Sequence, residues 1–195
     1  MPSLATPAIP AGALRSTGQP VLPVEGGRQL RPWRPDDAGA VHAAYQDPQI
    51  QRWHVRRADS VAEAGEWIEQ WRGAWPAETG GHWAVADAAT DALLGRVALK
   101  AFDLADGQAE VAYWTVPAAR GTGVCSGAVR ALAAWALGDG GFHRLELAHS
   151  AANPASCRVA VATGFAQEGV RRGAARHADG WHDMHLHGRV RGGRG

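Results

Sequence analysis

The sequence predicts an α/β (α+β) sandwich: a mixed, mostly antiparallel central sheet flanked by helices, with one parallel strand pair where a helix crosses over. Three observations predict it. Segments of alternating polarity recur from residue 28 to residue 187, two helical segments are interleaved among the later strands, and glycine- or proline-bearing breaks separate them. A meander of strands followed by strand, helix, strand, helix and two further strands requires antiparallel hairpins and a crossover.

Each element has its own signal. Pro2, Pro7, Pro10, Pro20 and Pro23 break every candidate helix before it nucleates, so residues 1–27 read as a flexible Pro/Ala/Gly-rich tail. A single domain then spans 28–190, and 191–195 reads as a disordered Arg/Gly end. Arg28 to Arg31 is the first strand. Pro35-Asp36-Asp37 opens a helix reaching Gln46, with acidic residues at the positive end of the dipole. Ser60-Val61-Ala62-Glu63 is a capping box, and Trp67, Trp71 and Trp75 follow it on one helical stripe that suits core packing. His82–Ala86 and Leu93–Phe102 flank the polar break at 87–91 as a hairpin. Ala109–Val116 is a strand stopped by Pro117. Gly123–Leu137 is an Ala-rich helix ending before the glycines at 138–141. Arg144–His149 is a strand, Pro154–Thr163 a helix, and Ala166–Arg172 with Trp181–His187 a last hairpin joined near Asp179-Gly180.

Composition narrows the function. Charged residues make up 20% of the 195-residue chain and the net charge is +1, which points away from a nucleic-acid partner even though all basic residues except Lys100 are arginine. No apolar run is long enough for a membrane helix, and the N-terminal residues do not resemble a secretory signal, so the expectation is a cytoplasmic chain without a membrane role. Cys125 and Cys157 have no CxxC partner. Of His177, His182, His185 and His187, strand alternation puts only His185 and His187 on a shared face; two imidazoles make a poor closed zinc site, and no metal is expected.

The informative stretch is Val116-Pro117-Ala118-Ala119-Arg120-Gly121-Thr122-Gly123-Val124-Cys125, between a strand and the longest helix. Its two glycines allow a tight turn that bares consecutive amides at a helix N-terminus, a shape that binds pyrophosphate. The GxGxxG dinucleotide pattern and the Gly-Lys-Ser/Thr end of a P-loop are both incomplete. The glycine pair alone also fits an ordinary loop before a helix.

Further blocks accompany it. Arg120-Gly121-Thr122-Gly123-Val124-Cys125 resembles the Arg/Gln-x-x-Gly-x-Gly/Ala acetyl-CoA signature of the GCN5-related N-acetyltransferases. Ala109-Glu110-Val111-Ala112-Tyr113-Trp114 resembles the strand before that signature in the RimJ/RimL-type branch, and Asn153-Pro154-Ala155-Ser156, Gly164-Phe165 and Glu168-Gly169 resemble its later block. The resemblance covers residues 28–190. It implies a splayed parallel pair whose open edge, at Trp114, Thr115 and Val116, takes the pantetheine arm of acetyl-CoA. It places the pyrophosphate on Arg120, Gly121, Thr122, Gly123, Val124 and Cys125, and Asn153 on the arm. Two departures stand out: Cys125 at a Gly/Ala position and Ala112 at a usual Gly. Cys125 reads as a small buried thiol rather than an acyl-carrying nucleophile.

The activity implied is direct transfer of an acetyl group to a primary amine, either a protein N-terminus or a small molecule such as an antibiotic. A homodimer is compatible with this. Glu110 is the candidate proton acceptor, with a surface carboxylate or structural ion pair as its other reading, since alternation does not set its face. Many relatives protonate the leaving thiolate with a tyrosine near the last crossover helix; with none in that block, the resemblance passes the role to Ser156, itself also an ordinary first-turn serine. Trp53 and His54, expected in a loop between the early helices, are the candidates for acceptor contact. The competing function is a non-catalytic acyl-CoA-binding or sensing module.

Overall fold

The computed structural model describes residues 4–193. In chain order the elements are α1 (Ala13–Thr17), β1 (Leu22–Val24), β2 (Arg28–Pro32), a 3-10 turn (Pro35–Asp37), α2 (Ala38–Ala44), α3 (Pro48–His54), α4 (Val61–Ala74), β3 (Gly80–Asp87), β4 (Leu93–Asp103), β5 (Gln108–Thr115), a second 3-10 turn (Pro117–Ala119), α5 (Val124–Leu137), β6 (Arg144–Ser150), α6 (Pro154–Ala162), β7 (Ala166–His177) and β8 (Gly180–Val190). The eight strands form one sheet in the order β1-β2-β3-β4-β5-β6-β8-β7. Every neighbouring pair is antiparallel except β5 and β6, as the strand order predicts.

Strand alternation sorts side chains onto two faces, each covered by helices. One core gathers Leu30, Val97, Val111, Leu145 and Phe165 under α5. The other gathers Trp33, Tyr45, Ile68, Trp71 and Trp114 under α2 and α4. The tryptophan stripe is core: Trp71 lies 5.0 Å from Trp33, and Trp75 lies 5.8 Å from both Trp83 and Trp135. At the start of α4 the Ser60 hydroxyl accepts from the Glu63 amide, but the Glu63 carboxylate takes the Asp59 amide rather than that of Ser60, so the box closes one residue early.

Residues 4–27 differ from the flexible tail expected for 1–27. Ile9, Leu14 and Val24 are buried in the core, and β1 pairs with β2. A five-residue helix cannot persist alone; here the Glu78 carboxylate accepts from the amides of Gly12, Leu14 and Arg15, at 2.6, 3.0 and 3.2 Å, and supplies the cap that Gly12 lacks. The sequence signal failed because the cap lies 66 residues away. Residues 1–3 of that expected tail lie outside the described residues. Of the expected Arg/Gly end, Arg191 is tied by its amide to His143 and by Nε to the Leu137 carbonyl, while 194–195 lie outside the described residues.

Candidate active site

The feature that makes the site is an interrupted ladder. β5 and β6 pair in parallel only from Gln108–Glu110 to Arg144–Glu146. Beyond Glu110 the strands part, leaving facing backbone edges with no ladder between them, and a cleft of about 830 Å³ opens along residues 111–115 and 147–150. The loop after β5, the start of α6, the last turn of α3 and the β7–β8 hairpin complete its walls.

At one end lies the glycine turn. Gly121 and Gly123 sit at φ 76° and 79°, and a Cβ built on either meets nothing within 4 Å. Both facts say glycine serves the backbone conformation here while leaving room outside it. Gly123 is the N-cap of α5 and offers no side-chain cap. The first amide of this turn with a backbone partner is that of Gly127, which donates to Gly123, so the amides of 121–125 lack an intramolecular acceptor among the described residues. Uncapped amides at a helix N-terminus hold anions. Gly121, Gly123, Val124 and Cys125 line the cleft; Thr122 does not, its hydroxyl donating to Ala119 and its carbonyl accepting from Arg28. Val116 is also set back, its amide held by Leu94 and its side chain packed on the core.

Arg120 lines the cleft, but its guanidinium is committed to Asp47, the N-cap of α3, whose carboxylate also accepts from Gln49 and Ile50. The hydrogen bonds from Arg120 hold Asp47 below the usual carboxylate range. The positive potential expected from Arg120 is therefore partly cancelled. An unanticipated second arginine, Arg158 on the exposed first turns of α6, lines the cleft without an ion pair among the described residues.

Toward the centre, alternation along β5 sets Glu110 and Tyr113 on opposite faces. Glu110 lines the cleft and pairs with Lys100, its partner across β4, at 3.1 Å. The ion-pair reading is met, in a side chain that also lines the cleft. His54, on the last turn of α3 rather than in a loop, donates from Nε2 to the Tyr113 carbonyl at 3.1 Å. Burial, with help from the Arg96 charge, lowers it to about 4, so it is neutral at pH 7 with a free Nδ1 lone pair. Trp53, beside it, lines the cleft 6.0 Å from His177.

The opposite wall is α6. Asn153 caps it by accepting from the Ser156 amide at 3.1 Å, and both residues line the cleft. A tyrosine reaches this wall from another element: Tyr113 of β5 places its hydroxyl 3.4 Å from the Ser156 carbonyl. Burial raises its pKa, which keeps its proton on at neutral pH. Burial likewise pushes the Cys125 thiol up to about 12. A further unanticipated chain joins Ser150 in the cleft to the surface: Ser150 Oγ lies 2.7 Å from His182 Nδ1, and His182 Nε2 lies 2.8 Å from Asp179. The Ser150–His182 contact joins residues 32 positions apart and leaves no local pattern.

The histidines sort differently from the sequence expectation. His177 and His182 stack on each other at 4.2 Å. His185 and His187 share a face as alternation requires, but β6 adds His149 and α6 adds Cys157 to them. The ligand count behind the expectation of no metal therefore changes from two to four.

Comparison with known proteins agrees with this architecture. A family model described as an acetyltransferase (GNAT) domain matches residues 28–166. The uncharacterized N-acetyltransferase YoaA of Bacillus subtilis is 24% identical over 144 residues, covering 73% of this chain and 81% of that protein. Among solved structures, RimL, the ribosomal L7/L12 α-N-protein acetyltransferase in complex with coenzyme A, superposes with a TM-score of 0.78 at 19% identity, covering 88% of this chain and 98% of that one. The microcin C7 self-immunity acetyltransferase MccE, in complex with acetyl-CoA and AMP, gives 0.76 at 20% identity, covering 85% and 93%. No helix among the described residues is long and apolar enough to cross a membrane. With the interrupted parallel pair, the glycine turn and the family model falling on the same residues, the chain belongs to the GNAT acetyltransferase family.

Proposed function

We propose that the protein moves an acetyl group from acetyl-CoA directly to a primary amine, carried by a protein N-terminus or by a small molecule, in the cytoplasm where Cys125 and Cys157 remain free thiols. The observation that carries this reading is one cleft combining free strand edges with uncapped helix amides. An amide-bearing arm suits the first, and a diphosphate suits the second. The residues fit acetyl-CoA: the glycine turn leaves open space outside it, and Arg158 adds unpaired positive charge.

In this reading the neutral amine attacks the thioester carbon and a tetrahedral intermediate forms. Its collapse breaks the carbon–sulfur bond and expels the CoA thiolate. The proton lost by the amine goes to Glu110, from the cleft face shared with Trp53 and His54. The proton gained by the thiolate comes from the α6 side, where Tyr113 joins Ser156 as a donor. A raised pKa suits Tyr113 to donating rather than accepting.

The test is a panel of amines and N-terminal peptides scored by mass for acetyl addition and by CoA release. Glu110→Ala and Ser156→Ala should lose turnover while retaining CoA binding. The Glu110–Lys100 ion pair favours one other reading, a CoA-binding module whose carboxylate is structural; CoA binding with no acetylated product across the panel would establish that reading instead.

A further inference from the structure

The cluster of His149, Cys157, His185 and His187 lies on the α6 face of the sheet, at the back wall of the cleft. His149 and His185 are direct cross-strand partners in the β6–β8 ladder, and His187 is two residues along β8. Alternation therefore aims all three imidazoles to one face, and α6 delivers Cys157 onto them. Each of the four offers a ligand atom, and these atoms all lie within 4.8 Å of one another.

The hydrogen bonds around the rings decide what the cluster is suited to hold. His149 Nδ1 lies 2.8 Å from the Ser150 carbonyl, and His187 Nδ1 lies 3.4 Å from the Phe165 carbonyl. A carbonyl only accepts, so each Nδ1 carries the proton. That leaves both Nε2 atoms as bare lone pairs, yet they face each other at 3.2 Å. Two acceptors at this distance repel unless a cation sits between them. Tetrahedral zinc with Zn–N bonds of about 2.0–2.1 Å separates two nitrogens by about 3.3–3.4 Å, close to that spacing. The arrangement is also the usual one for a metal-bound imidazole, whose second nitrogen is anchored to a carbonyl. A second orphan agrees: the buried Nδ1 of His185 has no partner.

A shared proton is the competing occupant. The surroundings disfavour it, because the cluster itself holds no carboxylate to balance the charge. Glu168, whose carboxylate lies beside Gly188, is committed to Arg144. The one group able to supply negative charge from within is Cys157, as a thiolate, and thiolates form on metals.

We propose that His149, Cys157, His185 and His187 form a closed, four-ligand site for a zinc-class divalent cation, joining β6, α6 and β8 behind the cleft. Three nitrogens and one sulfur are a borderline-soft donor set that selects zinc or cobalt(II) over magnesium or calcium. With all four positions filled by protein, the ion's role is structural: it holds α6, and with it Asn153 and Ser156, against the sheet.

The experiment uses the full chain without a polyhistidine tag, stripped by a chelator and titrated with cobalt(II). One equivalent should bind, with tetrahedral d–d bands and a thiolate-to-cobalt charge-transfer band, and zinc should displace it. Cys157→Ser should abolish the charge-transfer band. Loss of this inner ligand should weaken zinc binding at least as much as the about 10–100-fold that a lost outer partner costs. Cys157 and His185 are only partly buried, so Cys157→Ser and His185→Gln test the site without emptying the core; circular dichroism verifies that each variant is folded. Absence of stoichiometric binding, an octahedral spectrum, or binding abolished by replacing His177 and His182 while Cys157→Ser binds normally would each overturn the site. So would uptake of a single proton by the His149–His187 pair with no cobalt bound. None of these readouts depends on acetyl transfer.

Discussion

Replacing Gly123 by Ala separates what the glycine turn does for the fold from what it does for the ligand. At φ 79° a Cβ costs about 1–2 kcal/mol of backbone strain. Nothing in the protein obstructs that Cβ within 4 Å, so no clash adds to the strain. In a chain of this size each kcal/mol lowers Tm by about 2–4 °C. Gly18, at φ 68° and ψ 162° and equally unobstructed, is the control remote from the turn: its conformation is one that essentially only glycine adopts, so Gly18→Ala should lower Tm at least as much. The two variants should diverge in CoA binding. A methyl at 123 stands where a diphosphate approaches the uncapped amides, and losing one charge-assisted hydrogen bond of about 1.5–3 kcal/mol weakens binding roughly 10- to 100-fold. Calorimetric titration with CoA, beside thermal melts of both variants, reads the contrast. Equal CoA affinity in Gly123→Ala and Gly18→Ala would refute the placement of the diphosphate on this turn.

Other predictions follow from neighbouring contacts. Tyr113→Phe removes the phenolic proton 3.4 Å from the Ser156 carbonyl and should lower kcat by about 100-fold or more with CoA affinity retained; an unchanged kcat removes Tyr113 from the reaction. Asp47→Ala deletes the cap of α3 and should cost about 1 kcal/mol in chemical denaturation, while freeing Arg120 to tighten CoA binding; weaker binding would show the pair is needed intact. Burial holds His54 near 4 and His82 near 3, so the unfolded chain binds protons first as pH falls below about 6.5. Stability should therefore be full above that pH and decline toward pH 4, by up to about 3 kcal/mol for His54 alone, and urea midpoints independent of pH over this window would contradict it. Glu78→Ala removes three amide partners from α1 and should speed hydrogen exchange at residues 12–15 while leaving β3 protected.

Elements whose signals are local were legible. The proline and glycine stops around α5, the Asn153 cap of α6 and the hairpin of β3 and β4 all depend on residues within a few positions of one another. The same holds for the glycine turn, whose conformation glycine alone makes cheap. The wrong expectation for residues 4–27 has the opposite origin. Prolines there forbid a free-standing helix, but Trp83 donates to the Pro20 carbonyl at 2.7 Å and Glu78 caps α1, and neither partner can be inferred from the segment itself. Tyr113 was passed over for a related reason: its block lies before the glycine turn, while its hydroxyl lies beyond it, beside α6.

From the residues alone came the alternation, the breaks and the glycine turn before α5, because periodicity and backbone preference are properties of short stretches of chain. Tertiary structure decided which side chains meet: Arg120 with Asp47, Glu110 with Lys100, and His149 and Cys157 with the β8 histidines. Those meetings depend on where β5 and β6 part and how α6 crosses back, and the directional, few-ångström reach of hydrogen bonds and ligand lone pairs makes them invisible until the strands are in place.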